Sequence, residues 1–135
     1  MIIEIALMTY LLAQTSITTY VTGSDGAKRI DFVVAPQEVA KPYIVVSKID
    51  APGRHTQDGP LDVIDARFQI SIFATTYTEA HEIAAAVKAV LDGYQGSMSD
   101  VYVFSCLYDD EQDLYEEQMK LFYVPQDYIV SYREG

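Results

Sequence analysis

The chain has 135 residues, half of them apolar and 21% charged, with a formal net charge of −11. That size fits one domain able to bury a core of its own, and the lone Cys106 excludes an internal disulfide framework. A balance this acidic excludes a protein that grips DNA or RNA, because phosphate binding needs a basic face.

No apolar run reaches the roughly 18 residues of a membrane span. Met1–Ala13 carries Glu4 and lacks the basic flank of a signal peptide, so it reads as a helix of the mature fold, with a soluble, cytoplasmic protein as the default expectation. Ile3, Leu7 and Leu11 form its apolar stripe. Ser16 reads as the cap of a further short turn through Thr19 and Tyr20, stopped near Gly23. Ser24-Asp25-Gly26 is a turn signal. Arg29–Val34 then reads as a strand, with Ile30, Phe32 and Val34 alternating against Arg29, Asp31 and Val33, and Pro36 ends it or confines it to an edge.

Pro42–Ile49 is the next expected strand. Asp50–Pro60 holds two prolines and two glycines and reads as an irregular loop, of the long kind that is functional or mobile. In Leu61–Ala74, Phe68, Ile70 and Ile72 alternate with Arg67, Gln69 and Ser71, the pattern of an antiparallel strand with one covered face. A helix follows at Thr78–Asp92. Thr76 and Glu79 form a capping box before it, Ala80, Ile83, Ala84, Val87 and Leu91 make its apolar stripe, and Gly93 stops it.

Val101–Tyr108 reads as a strand with Tyr102, Phe104 and Cys106 opposite Val101, Val103 and Ser105. The acidic segment Asp109–Glu117 reads as a loop or frayed turn. Met119–Val124 is the last expected strand, interrupted by Pro125, after which Tyr128–Tyr132 either resumes it past a bulge or forms an arm. Together these elements make an α+β fold. It is a single compact domain over residues 1–135, a mostly antiparallel sheet packed by an N-terminal helix and a central amphipathic helix, with 125–135 set apart as a C-terminal extension or arm.

The chain offers few groups for chemistry. It holds no Gly-x-Ser-x-Gly elbow, Cys-x-x-Cys pair, His-Glu-x-x-His helix or Walker-type loop. The expectation is therefore a protein that is not an enzyme and has no catalytic, cofactor or metal residues. His55 lies beside Arg54 and Asp58, and His81 lies on the exposed side of a helix; with no partner for either, both read as ordinary surface histidines. Cys106, inside an apolar strand, reads as a small buried hydrophobe. The run from Asp109 to Glu117 invites a calcium reading, but its sixth position is Leu114 where such a loop needs glycine. A metal-dependent hydrolase built on that segment would lack histidine ligands.

Two surface signals remain. Eight acidic residues and no lysine or arginine lie between Asp92 and Glu117, either a solvated face or one that faces or mimics DNA. Seven of the eleven tyrosines follow Gly93, which fits both protein interfaces and sheet-face packing.

The order of motifs from "KPYIVVSKID" through "DGPLDVIDARFQISIFATTYTEAHEIAAAVKAVLDGYQG" resembles the tail-completion or tail-terminator family of long-tailed bacteriophages and prophages. The residues that carry the resemblance are Pro42, Tyr43, Asp58, Gly59, Arg67, Gln69, Ile70, Phe73, Ala74, Tyr77, Glu79, Ala80, Leu91, Asp92 and Gly93, and "YDDEQDLYEE" is similar to the family's acidic stretch before its final strand. Residues 125–135 go beyond what the resemblance explains. It implies a virion structural protein at the head–tail interface, assembled in the bacterial host cytoplasm. Copies of the chain would form a hexameric ring on the head-proximal end of the tail tube, stop tube growth, and dock the head connector or stopper protein. DNA would pass through the ring without specific binding, and no membrane is involved. On that footing Asp109, Asp110, Glu111, Asp113, Glu116 and Glu117 are candidates for a lumen-facing acidic surface, and Arg54, His55, Asp58 and Gly59 for contact with the tube or a neighbouring subunit. The alternative is an acidic DNA mimic or other protein-binding module.

Overall fold

In the computed structural model, residues 2–23, 26–33, 41–51, 53–56 and 59–134 are described, the side chains of 53–56, 59–62 and 134 excepted. Three helices, α1 (Ile3–Leu12), α2 (Thr15–Val21) and α3 (Tyr77–Leu91), accompany eight strands: β1 (Ile30–Phe32), β2 (Tyr43–Asp50), β3 (Gly53–Thr56), β4 (Gly59–Ala74), β5 (Gly96–Met98), β6 (Val101–Glu111), β7 (Leu114–Glu116) and β8 (Leu121–Glu134). The strands form one sheet in the order β1-β2-β4-β8-β6-β5, with β3 added to β4 and β7 to β8. All pairings are antiparallel except β1 with β2. This is the expected α+β fold.

The two longest strands, β4 and β8, lie side by side in the middle of the sheet and set which residues face the helices. Ala66, Phe68, Ile70, Ile72 and Ala74 of β4 are fully buried, as period-two alternation requires. They sit in register with Val130, Tyr128, Gln126, Val124 and Phe122 of β8. Helix α3 lies over this face through Ala80, Ile83, Ala84, Val87 and Leu91, and the Thr76 hydroxyl accepts from the Glu79 amide at 3.2 Å as the capping box predicts. Gly93 follows with φ +83°, a left-handed stop. Helix α1 buries Ile3, Leu7 and Leu11 as expected, and Ala6 and Met8 as well, while Ile2 and Ile5 of the same run stay exposed.

Elsewhere the structure corrects the sequence expectations. Helix α2 begins after Gln14, not with Ser16 as cap, and its N-terminus has no side-chain cap. Strand β1 is shorter than Arg29–Val34, because Val33 turns to φ +63°; Val34 and Pro36 lie outside the described residues, as do Ser24 and Asp25. Asp50–Pro60 is not irregular throughout. Gly53–Thr56 is strand β3, and β4 already starts at Gly59, so the two form a hairpin in which His55 pairs with Pro60.

The acidic segment is likewise mostly strand: β6 runs through Glu111 and β7 begins at Leu114. Cys106 does not share a face with Tyr102 and Phe104. Val103 pairs with Tyr132 but Ser105 with Ser131, so Phe104 is an inserted residue that reverses the alternation and turns Cys106 into the core with Val101 and Val103. Strand β5 was not anticipated at all.

Beyond Pro125 the strand resumes and no arm forms, since β8 continues without a break to Glu134. A central strand tolerates this proline because of where its polar edge points. The Pro125 carbonyl accepts from Gln112 at 3.3 Å, at the junction where the neighbour of β8 changes from β6 to β7. No ladder bond is required there of the missing N–H.

Candidate functional site

Opposite the helices, among the described residues, the sheet presents a second face that nothing covers. Its upper row is an aromatic ladder across the strands. Tyr43 of β2 stacks on Phe73 of β4 with ring centres 4.7 Å apart, and Phe73 stacks on Tyr123 of β8 at 5.2 Å. Leu114 of β7, paired with Tyr123, extends the row. Beneath it lies a shallow groove of about 280 Å³ lined with polar groups, including Gln69, Ser71, Asp110 and Asp127. Below that, Arg67 donates to Asp109 at 2.7 Å and to Asp127 at 3.2 Å. The Asp109 hydrogen bond is the main reason the Arg67 guanidinium is held above its usual range.

The position of Asp109 on this face results from a second bulge in β6. Tyr108 pairs with Tyr128, but Asp110 pairs with Asp127, so one residue is inserted between them. The insertion leaves Asp110 on the open face and returns Glu111 to the helix side. There the buried Gln126 amide bridges the Ala84 carbonyl of α3, at 3.0 Å, and the Glu111 carboxylate, at 3.1 Å.

The six acidic candidates therefore do not form one solvated strip. Asp109 is tied to Arg67, and Glu111 to Gln126. Asp113 accepts from Tyr77 at 2.9 Å and lies 2.7 Å from the His81 ring nitrogen. Glu116 accepts from the Met119 amide. Asp110 is exposed and caps the Glu111 amide, and Glu117 is exposed in the turn after β7. His81 does have a partner: the fold brings the acidic segment against it from 32 positions away. The one signal in the sequence was the Tyr77–His81 spacing, which places both on one helical face; their rings lie 4.4 Å apart.

Arg54 and His55 lie on β3 and Gly59 opens β4, so three of the four hairpin candidates share one two-stranded projection; Asp58 lies outside the described residues. Cys106 is fully buried, and burial pushes its thiol up to about 12, which suits a packing role. The late tyrosines divide: Tyr128 and Tyr132 are core residues, Tyr123 belongs to the ladder, and Tyr115 is half exposed. Burial is also the main reason the Tyr108 hydroxyl is pushed up to about 12, with its hydrogen bond to Glu111 next. No helix among the described residues is long and apolar enough to cross a membrane.

The sequence matches the family described as Tail completion protein gp17 over residues 5–133. The chain belongs to the tail completion protein family. It is thus a structural protein of the bacteriophage tail and a component of the virion. The match includes residues 125–133, the part of β8 that the resemblance drawn from sequence motifs had left out. Among solved structures, this tail completion protein is similar to a chain in the virion of a native gene transfer agent particle. The TM-score is 0.79 at 17% identity, and the alignment covers 97% of this chain and 94% of that one. At that identity the likeness is one of fold. No curated protein matches the chain.

Proposed function

We propose that copies of this chain close into a ring, with six subunits, at the head-proximal end of the tail tube. The ring ends tube growth and offers its other side to the head connector or stopper protein. The family match over 5–133 carries this reading, and a fold shared with a chain of a phage-like particle supports it. The role is assembly without catalysis, since the side chains that meet at the acidic turn are engaged with one another. A net charge of −11 suits a ring through which DNA must slide, because a negative lining repels phosphate. That charge counts less for a DNA mimic, because Asp109 and Asp113 are turned onto partners within the chain.

The direct test is negative-stain electron microscopy of the protein alone and mixed with the major tail-tube protein. Six-membered rings, or caps at tube ends, are expected; a persistent monomer that never decorates tubes would overturn the proposal.

Two finer assignments belong to the same reading. The acidic candidates from Asp109 to Glu117 line the lumen, so D110N combined with E117Q, the two exposed acids, should leave rings intact and slow DNA delivery. Unchanged infectivity would remove them from the lumen. The β3–β4 hairpin reaches the tube or a neighbouring subunit through Arg54, His55, Asp58 and Gly59, so deleting Gly53–Gly59 should spare folding and reduce assembly. Tails of normal length and number in that deletion would refute the contact.

A further inference from the structure

We propose that His81, Glu111 and Asp113 form a binding site for one divalent transition metal ion of the zinc class, tying helix α3 to the β6–β7 turn. One donor atom from each residue lies within 4.8 Å of the other two. The three come from separate parts of the fold: α3, the end of β6, and the two-residue link to β7. An imidazole nitrogen with two carboxylate oxygens suits zinc, manganese or iron in its divalent state. It provides too few oxygens for calcium, which takes six to eight.

The groups behind the donors favour coordination. Tyr77 donates to one oxygen of Asp113, while the other oxygen faces the His81 Nε2 at 2.7 Å. Gln126, 1% exposed, is anchored on α3 and donates to Glu111. These neutral donors orient the carboxylates without cancelling their charge, as outer-sphere partners do in metal sites. Tyr77 lies against the imidazole ring. Two carboxylates thus converge on one imidazole, and the neighbouring cation, Lys88, sits over the Tyr108 ring at 4.1 Å. Ligand distances of about 2.0–2.2 Å put tetrahedral donors about 3.4 Å apart. The His81–Asp113 pair need open only slightly, and the Glu111 side chain must swing inward by roughly 1 Å to meet that spacing. Asp113 is half exposed, which leaves room for water as the fourth ligand.

The site makes no use of the tube-end role and is tested separately from it. Chelator-treated full-length protein is titrated with Zn2+ by calorimetry and with Co2+ by visible absorption. One ion per chain is expected, with the strong Co2+ bands of a four-coordinate site and a raised unfolding midpoint with Zn2+. H81A and D113N should each bind at least about tenfold more weakly, whereas D110N, which removes an exposed carboxylate outside the set, should bind like the parent. The parent's Co2+ spectrum reports on the site even where a variant is destabilised. Weak binding without one-to-one stoichiometry, or a loss in D110N equal to that in D113N, would overturn the proposal and leave a His–Asp ion pair on an acidic surface.

Discussion

The two faces of the sheet are built from the same strands by different rules. The helix-covered face is aliphatic and aromatic and closed, with Phe68, Ile70, Ile72 and Tyr128 at or near zero exposure. The open face is stabilised laterally, by a ladder of three stacked rings and by one arginine shared between two aspartates. Burial against helices depends on volume and tolerates little change. Lateral contacts between neighbouring strands are smaller and more nearly independent. One face therefore specifies the fold, while the other is free to carry whatever surface the tail assembly requires.

The largest effect should come from testing that contrast directly. Phe68→Ala on the covered face should cost about 3–5 kcal/mol of unfolding free energy, whereas Phe73→Ala on the open face should cost roughly 1–2 kcal/mol, both read from denaturant unfolding. Equal losses would mean that the open face is as closed as the other.

Alkaline pH should act mainly through the covered face. There burial raises the Tyr128 hydroxyl, and burial with Glu111 raises Tyr108 to about 12, from an ordinary value of 10.0. Both groups are neutral in folded and unfolded chains below pH 10. Above it the unfolded chain loses these protons first, so stability should be level up to about pH 10 and then fall. Unfolding midpoints followed from pH 8 to 12 would check the sign. A midpoint that does not fall above pH 10 would contradict the protected hydroxyls.

The smallest expected effect is at the start of α3. Thr76→Ala removes the cap and should cost about 1 kcal/mol. A loss well below that would show that packing on the sheet alone sets the helix boundary.

The parts of the covered face that could be read from sequence were local in origin. The alternation in β4, the stripe of α3 and its cap at Thr76 each depend on residues within one element. What escaped depends on partners far along the chain. The bulges at Phe104 and after Tyr108 are defined only against β8, and they decide where Cys106, Asp109 and Glu111 point. Pro125 looked like a stop until the junction beside it was known, and β3 was hidden by the prolines and glycines around it. For the same reason the acidic cluster was legible as composition, but its pairing with His81 was not. The motif order that suggested the family was legible because it lies in the local grammar of β2, β4 and α3.

The lengths of the outermost strands carry a consequence of their own. β1, β5 and β7 have three residues each and β3 has four, while the 16-residue β4 and 14-residue β8 lie inside the sheet. The longer outer side of β6 is partly covered by the loop after α3, where the Gly93 amide donates to Cys106 and the Asp92 side chain accepts from Tyr108. A border this interrupted is a poor template for a foreign strand. Subunits can therefore accumulate before incorporation without zipping into fibrils.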